Sequence, residues 1–242
     1  MSKTKPTLYL FPNLLGDQRF HEPWLPSSID KAVAKIDGLI AESPTGGRSF
    51  LKRFQTKKAP YDVPIADLNK NTQPEDIDFL LEPIWKGESW GLISDCGLPC
   101  IADPGARLVY RARQTGVNVH AFVGPSSITL SLMMSGLPGQ RFSFLGYLGK
   151  SPAERKTAII EMEMKSKKED ATQIFIEAPY RCGAVLKDLV DTLHDDTILC
   201  AAWDLTMQSQ GILSQTVRQW KKSPLPNVAK KPTIFLCFSG KM

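Results

Sequence analysis

The sequence predicts an α/β protein with two domains, and three observations lead to this prediction. Short apolar runs typical of buried strands alternate with helix-like segments along the whole chain. The length of 242 residues suits one large domain or two smaller ones. The alternation restarts beyond Pro138, after a stretch rich in glycine and proline. We therefore predict an N-terminal domain over residues 1–139 and a C-terminal domain over residues 140–242, each with a largely buried sheet.

The first elements of the N-terminal domain follow from local patterns. Thr7–Phe11 is a short apolar run and predicts a buried strand. The segment Asp30–Glu42 repeats apolar residues at helical spacing and predicts a helix. Thr72–Glu75 has the Thr-x-x-Glu pattern of a capping box and predicts the start of a second helix, which Pro83 should kink or shorten.

The remaining elements of this domain surround two turns rich in glycine and proline. We predict Asp103 as the N-cap of a helix whose first residue is Pro104, and Gly116 as its C-terminal cap. The other predicted elements are strands over residues 91–94 and 117–123 and a helix over residues 126–134.

The C-terminal domain continues the alternation. Ser151–Glu154 is a second capping-box pattern and predicts a helix that ends near Lys165. The other predicted elements are a helix over residues 180–193 and strands over residues 141–148, 173–177, 198–203 and 233–238.

The composition excludes several classes of protein. Hydrophobic residues make up 42% of the chain and charged residues 23%, unlike disordered, collagen-like or fibrous chains. No run approaches the roughly 18 consecutive apolar residues of a transmembrane helix. The segment Met1–Pro6 lacks the apolar run of a secretory signal, so we expect a cytoplasmic protein. The five cysteines are odd in number and irregularly spaced, and the three histidines are scattered, so we expect reduced thiols and no metal site.

The net charge of +5 permits an acidic partner such as RNA without requiring one. The basic residues are concentrated in two segments without acids, Arg48–Lys58 and Arg218–Lys231. Each segment is compatible with a solvated loop and with a surface that faces phosphates.

The two glycine- and proline-rich turns are the places where a ligand is expected. Ser94–Gly105 lies between a predicted strand and a predicted helix, and Val123–Ser127 has the same position further along. Ligands of open α/β sheets bind beyond the carboxyl ends of strands, and glycine lets the backbone approach them closely. Taken one at a time, each turn also fits a ligand-free strand-to-helix connection. Neither matches a dinucleotide-binding or Walker motif.

Taken together and in order, these motifs resemble those of the tetrapyrrole methylase superfamily of S-adenosylmethionine (SAM) enzymes. The similarity is greatest to the branch that methylates a ribose 2′-oxygen of 16S ribosomal RNA. That branch has motifs like S-D-A-G-T-P-x-I-x-D-P-G, P-G-P-S, S-G-L-P-x-x-R-F and I-F-Y-E-S-P-H-R. Here the corresponding stretches are SDCGLPCIADPG, VGPSS, SGLPGQRF and QIFIEAPYR.

The resemblance implies two α/β domains of the tetrapyrrole methylase type, with SAM in the interdomain cleft, and a homodimer that acts on RNA or the small ribosomal subunit. No metal is implied. The residues at the matching cofactor positions are Cys96, Gly97, Leu98, Ile101, Ser126, Ser127, Glu177, Ala178, Leu205 and Pro232.

The side that would bind the acceptor departs from the family. The motif P-T-P-I-G-N-L is Pro12–Gln18 here and keeps its first proline and its glycine, while A-E-D-T-R-R-T-R is Ala41–Arg48 and lacks the aspartate and two arginines. E-L-T-K is Asp204–Met207 and lacks the lysine. We predict Glu42 and Arg48 as catalytic residues. The remaining candidates are Lys52, Arg53 and Arg181 for phosphates, and Asp95, Glu177 and Asp204 as alternative bases.

Three functions remain open on the sequence. The first is methylation of RNA, with the ribose 2′-oxygen of small-subunit ribosomal RNA as the acceptor. The second is methylation of a small acceptor such as a tetrapyrrole, which the lost basic residues favour. The third is a SAM- or RNA-binding module with little catalysis, which the altered N-terminal loop and the missing lysine favour.

Overall fold

A computed structural model describes residues 6–241 of the chain. The segment 1–5, on which part of the argument about a secretory signal rests, lies outside the described residues. The chain divides into two compact units, residues 1–126 and 127–242. None of the helices within the described range has the length and apolar character needed to cross a membrane.

The first unit is a parallel sheet with helices, as the sequence predicts for an α/β protein. The strand order is β3-β2-β4-β1-β5, and every described pair in it is parallel. The elements are β1 (Thr7–Leu10), α1 (Ser28–Val33), β2 (Gly38–Ala41), α2 (Pro44–Leu51), β3 (Ile65–Asp67), a 3-10 turn (Pro74–Asp76), α3 (Ile77–Trp85), β4 (Trp90–Leu92), α4 (Ala106–Gln114) and β5 (Asn118–Ala121).

The predicted helix over Asp30–Glu42 is wrong in its second half, where the chain forms β2. This strand lies between β3 and β4 and is buried along its whole length. A strand that is buried on both faces has a continuous apolar run, which periodicity alone does not distinguish from a helix. A Cβ on Gly38 would lie 2.4 Å from the Trp90 ring, so the close packing of β2 on β4 also needs glycine there.

Two predicted helix starts are shifted toward the C-terminus. Helix α4 begins at Ala106 instead of Pro104, because Gly105 has a φ of +134° that keeps the turn non-helical. The predicted C-terminal cap at Gly116 is confirmed by its φ of +75°. The capping box predicted over Thr72–Glu75 lies one residue later, at Gln73–Asp76, where the Asp76 carboxylate accepts from the Gln73 amide. The Thr72 hydroxyl accepts from the Asn69 amide.

The second unit has a mixed sheet with the order β6-β7-β10-β8-β9, in which β6 and β7 are parallel and the other described pairs antiparallel. Strand β9 and helix α8 are absent from the sequence predictions. The elements are α5 (Ser127–Ser135), β6 (Phe142–Tyr147), α6 (Pro152–Glu169), β7 (Thr172–Glu177), α7 (Cys182–Thr192), β8 (Ile198–Trp203), β9 (Gly211–Thr216), α8 (Val217–Trp220) and β10 (Thr233–Phe238).

The division between the units lies closer to the N-terminus than the boundary predicted after Gly139. Helix α5 packs against β8, β9 and β10 and is therefore part of the second unit. Sequence patterning shows that α5 is a helix but not which sheet its buried residues contact.

The second predicted capping box is confirmed at the start of α6. The Ser151 hydroxyl accepts from the Glu154 amide, and the Glu154 carboxylate accepts from the Ser151 amide. The helix continues to Glu169, beyond the predicted end near Lys165.

A buried arginine joins α6 to α7. The Arg155 side chain is 8% exposed and its Nε donates to Asp188 Oδ2 at 2.6 Å. We expect Arg155→Met to lower the free energy of unfolding by about 2 kcal/mol, because Asp188, whose side chain is 34% exposed, would lose a charged hydrogen-bond partner. Urea denaturation measures this, with the exposed neighbour Lys156→Met as the matched control. Equal midpoints for the two variants would contradict the structural role of the pair.

Candidate functional site

The loops that leave the first sheet meet at one edge of it. Because β1, β2, β4 and β5 are parallel, their carboxyl ends lie on the same side, where ligands of such sheets bind. The loop after β4 is the glycine- and proline-rich turn 94–105, which we call the donor loop. The loop after β5 is the second turn, 123–127.

The donor loop has an unusual backbone. Gly97 and Gly105 have φ values of +71° and +134°, and two residues with side chains, Cys100 and Ala102, are left-handed at +69° and +66°. Each left-handed residue with a side chain costs on the order of 1 kcal/mol and persists where neighbouring structure enforces it. Such conformations cluster at ligand sites, which agrees with the position of this loop at the sheet edge.

Asn13, in the loop after β1, holds the start of the donor loop. It is 4% exposed, and its amide nitrogen donates to the carbonyls of Ser94 and Asp95 at 3.0 and 2.9 Å. Its side-chain oxygen accepts from the Leu14 amide and from Arg53 Nη1, and its backbone amide donates to the Gly97 carbonyl at 2.7 Å. Asn13 is not among the site residues predicted from the sequence. The signal that could have found it is a polar residue inside the otherwise apolar run Phe11–Leu15.

Both turns approach each other closely within the first unit. A Cβ on Gly97 would lie 3.2 Å from Leu15 Cδ2 and 3.6 Å from the Pro125 carbonyl oxygen. A Cβ on Gly124 would lie 2.1 Å from Pro12 Cβ. Glycine is therefore required at both positions for the loops after β1, β4 and β5 to converge. Of the predicted cofactor residues in these two turns, Ile101 is 48% exposed and Ser126 is buried.

Three carboxylates lie close together here, Asp95 and Asp103 in the donor loop and Glu42 beside it. Glu42, at the carboxyl end of β2, accepts from the Asp95 amide at 2.8 Å. Burial raises the pKa of Glu42, and the charge of Asp95 raises it further. Burial, together with the charge of Glu42, raises the pKa of Asp103 to about 6. Glu42 and Asp103 therefore hold a proton to a higher pH than they would if exposed to water.

The predicted acceptor cations of this unit have partners within the protein. Arg48 Nη1 donates to the carbonyls of Pro60 and Val63, both at 2.6 Å. Arg53 donates to the Asn13 side-chain oxygen, and burial lowers the pKa of the Arg53 guanidinium. The Lys52 ammonium lies 4.9 Å from the centre of the Tyr61 ring. The roles of these cations toward a phosphate stay predictions.

In the second unit, the predicted residues gather at one edge of the mixed sheet. The register places Glu177 and Trp203 on either side of Thr233, so the ends of β7 and β8 flank the start of β10. The Glu177 carboxylate is buried, accepts from the Ala178 amide at 2.8 Å and pairs with Arg181 at 3.2 Å. Arg181 also donates to the Gly149 carbonyl at 2.8 Å.

The loop after β8 contains another strained segment. Asp204 and Thr206 have φ values of +49° and +72° on either side of the buried Leu205. The Asp204 amide donates to the carbonyl of the exposed Pro232 at 3.0 Å. Lys231 Nζ lies 3.3 Å from Asp204 Oδ2. An ammonium is thus present beside this loop although the matching motif position has Met207.

Comparison with curated proteins finds relatives that share one name, ribosomal RNA small subunit methyltransferase I. The protein of Thermotoga maritima is 28% identical over 82% of this chain and 86% of its own length. The proteins of Vibrio cholerae and Xylella fastidiosa are 30% and 31% identical, over 83% and 74% of this chain. The chain covers 65% and 62% of those two proteins, less than two thirds of their length. No protein-family model matches the chain.

Solved structures with the same fold are methyltransferases and a synthase. The crystal structure of diphthine synthase has a TM-score of 0.65 at 15% identity, covering 96% of this chain and 89% of its own. The methyltransferase CobJ has a TM-score of 0.63 at 14% identity, over 96% and 92% of the two chains. A cobalt precorrin-4 methyltransferase has a TM-score of 0.60 at 13% identity, over 97% and 95%. The predicted fold class, the tetrapyrrole methylase type, is thereby confirmed.

Proposed function

We propose that this chain, which is similar to proteins named ribosomal RNA small subunit methyltransferase I and has the tetrapyrrole methylase fold, transfers a methyl group from SAM to RNA. The acceptor atom that we propose is a ribose 2′-oxygen of small-subunit ribosomal RNA. The observation that carries this proposal is the donor loop, which combines the family motif with a strained backbone at the carboxyl edge of the sheet.

The donor loop is the part of the first unit that we propose to hold SAM. Gly97 lets the loops after β1, β4 and β5 converge there, because a Cβ at this position would approach Leu15 and the Pro125 carbonyl. The other residues of the first unit that we propose to contact SAM are Cys96, Leu98, Ile101 and Ser126. From the second unit we propose Ser127, Glu177, Ala178, Leu205 and Pro232.

Methyl transfer needs little covalent chemistry from the protein. SAM supplies an electrophilic methyl group, the acceptor oxygen forms the new bond to carbon, and the carbon–sulfur bond breaks in line with it. The acceptor hydroxyl must lose its proton, and we propose that Glu42 takes it. Its raised pKa brings it closer to the pKa range of an effective general base. Asp95 and Asp103, in the donor loop next to Glu42, are the neighbouring alternatives.

Two further features belong to this proposal. We propose that the protein acts in the cytoplasm, where its ribosomal acceptor is found, and that it is a homodimer. Methylation of a tetrapyrrole is the second candidate, because Arg48 and Arg53 donate to oxygens inside the protein, which leaves fewer of their N–H groups for a polyanion.

The test is transfer of labelled methyl groups from SAM to small ribosomal subunits from cells that lack this protein. A free tetrapyrrole and large subunits serve as parallel acceptors. We expect the label in small-subunit RNA, at a position that resists alkaline hydrolysis because a methylated 2′-oxygen cannot attack the neighbouring phosphate. Label in the tetrapyrrole would establish the second candidate. SAM binding without transfer to any acceptor would indicate a binding module.

A further inference from the structure

An RNA acceptor needs cations that are not already used inside the protein. In the first unit, Arg48 and Arg53 are held by carbonyl and amide oxygens. Lys70 and Arg107 differ from them, because both side chains are exposed and neither forms a hydrogen bond or an ion pair with another of residues 6–241.

Lys70 and Arg107 line one cleft of about 320 Å³ at the carboxyl edge of the first sheet. One wall is the segment after β3, which includes Asn69 and Lys70, and the other is the end of the donor loop with the first turn of α4. Asp103, the last polar residue of the donor loop, also lines this cleft. A ligand in the cleft therefore lies against the same loop to which we assign SAM.

A second cleft of about 300 Å³ continues from the first between α3 and α4. Ile77 and Arg107 line both clefts, so Arg107 stands where they join. Tyr110, one turn further along α4, lines the second cleft and is 67% exposed. An exposed aromatic ring beside free cations is the arrangement on which bases of single-stranded nucleic acids stack.

The acidic residues of the two clefts reduce this positive charge without cancelling it in the first cleft. Arg111 binds both carboxylate oxygens of Asp78, at 2.7 and 2.8 Å, which neutralises that charge. Burial raises the pKa of Asp103 to about 6, so this carboxylate is still mostly ionised at pH 7 and offsets one of the two cations of the first cleft. Glu75 lines the second cleft and not the first. The first cleft, next to the donor loop, thus keeps a net positive charge from Lys70 and Arg107.

We propose that the joined clefts form a groove for single-stranded RNA, in which Lys70 and Arg107 contact backbone phosphates and Tyr110 stacks on a base. This inference rests on the proposed function and names the surface of the first unit that binds the acceptor. Its chemistry is that of proteins that bind single strands through an electropositive groove and aromatic platforms. None of these three residues is among the site residues predicted from the sequence.

The test is binding of a fluorescein-labelled 12-nucleotide RNA of mixed sequence, measured by anisotropy at several salt concentrations. The variant Lys70→Glu/Arg107→Glu is compared with Lys167→Glu/Lys168→Glu, which makes the same charge change at the end of α6. We expect the first variant to bind RNA at least about tenfold more weakly than the second. Two lost phosphate contacts should also reduce the slope of log K against log salt by about 1.4. Tyr110→Ala should weaken binding about tenfold while leaving the slope unchanged.

Calorimetry with S-adenosylhomocysteine on the same samples separates this inference from the proposed function. Unchanged S-adenosylhomocysteine affinity in Lys70→Glu/Arg107→Glu shows that the variant is folded and that its defect concerns RNA. If the two double variants bind RNA equally while the wild type methylates small subunits, the groove is wrong and the proposed function stands. If the wild type binds S-adenosylhomocysteine but neither binds nor methylates RNA, the groove and the RNA acceptor are both wrong.

Discussion

Gly97→Trp is expected to weaken SAM binding by at least about 100-fold, a change of about 2.7 kcal/mol. Position 97 has a φ of +71°, and its Cβ would already lie 3.2 Å from Leu15 and 3.6 Å from the Pro125 carbonyl. An indole ring cannot fit between the two loops and must extend into the space that we assign to the donor. Titration calorimetry with SAM and S-adenosylhomocysteine measures the loss.

The matched control is Gly116→Trp. Gly116 has a φ of +75°, almost the same as Gly97, but a Cβ there meets no atom within 4 Å. Both variants therefore bear the cost of a side chain in the left-handed region, and they differ in what the side chain displaces. We expect Gly116→Trp to lose some stability and to keep its affinity for SAM. Equal SAM affinities for the two variants would show that the donor loop does not contact the donor.

Glu42→Gln is expected to lower kcat by about 100- to 10 000-fold, the contribution of a general base. The substitution keeps the shape of the side chain, and the amide oxygen can still accept from the Asp95 amide. SAM affinity and the free energy of unfolding should therefore change little. Single-turnover methyl transfer to small ribosomal subunits gives the rate, and calorimetry gives the affinity.

The pH dependence provides a second observable for the same residue. A base must be deprotonated, so activity should be lost as the pH falls through the pKa of Glu42, which burial raises from its ordinary value. The acidic limb of the wild-type profile should be absent from the residual activity of Glu42→Gln. Asp95→Asn is the comparison, because Asp95 is exposed and belongs to the same loop. A larger loss of kcat in Asp95→Asn than in Glu42→Gln would move the role of base to Asp95.

The sequence by itself determined the fold class, and it predicted the position of the donor loop and the resemblance to a known family. These predictions depend on local signals, because buried strands, capping boxes and glycine-rich turns are encoded by neighbouring residues. The capping box at Ser151 and the glycine cap at Gly116 are confirmed for this reason. The predicted helix over Asp30–Glu42 was wrong because β2 is buried between two other strands, and its apolar run does not reveal that environment.

The tertiary structure decided which polar groups are already satisfied. Arg48 lies in a basic segment, yet its guanidinium binds carbonyl oxygens 12 and 15 residues away, and Arg53 binds Asn13, 40 residues before it. Conversely, Lys70 and Arg107 are unremarkable in sequence and line one cleft because the segments after β3 and β4 leave the same edge of the sheet. A charged side chain is available to a ligand when no group of the protein is bound to it. For Arg48 and Arg53 the binding groups come from distant parts of the chain, and only the packing of the sheet places them there.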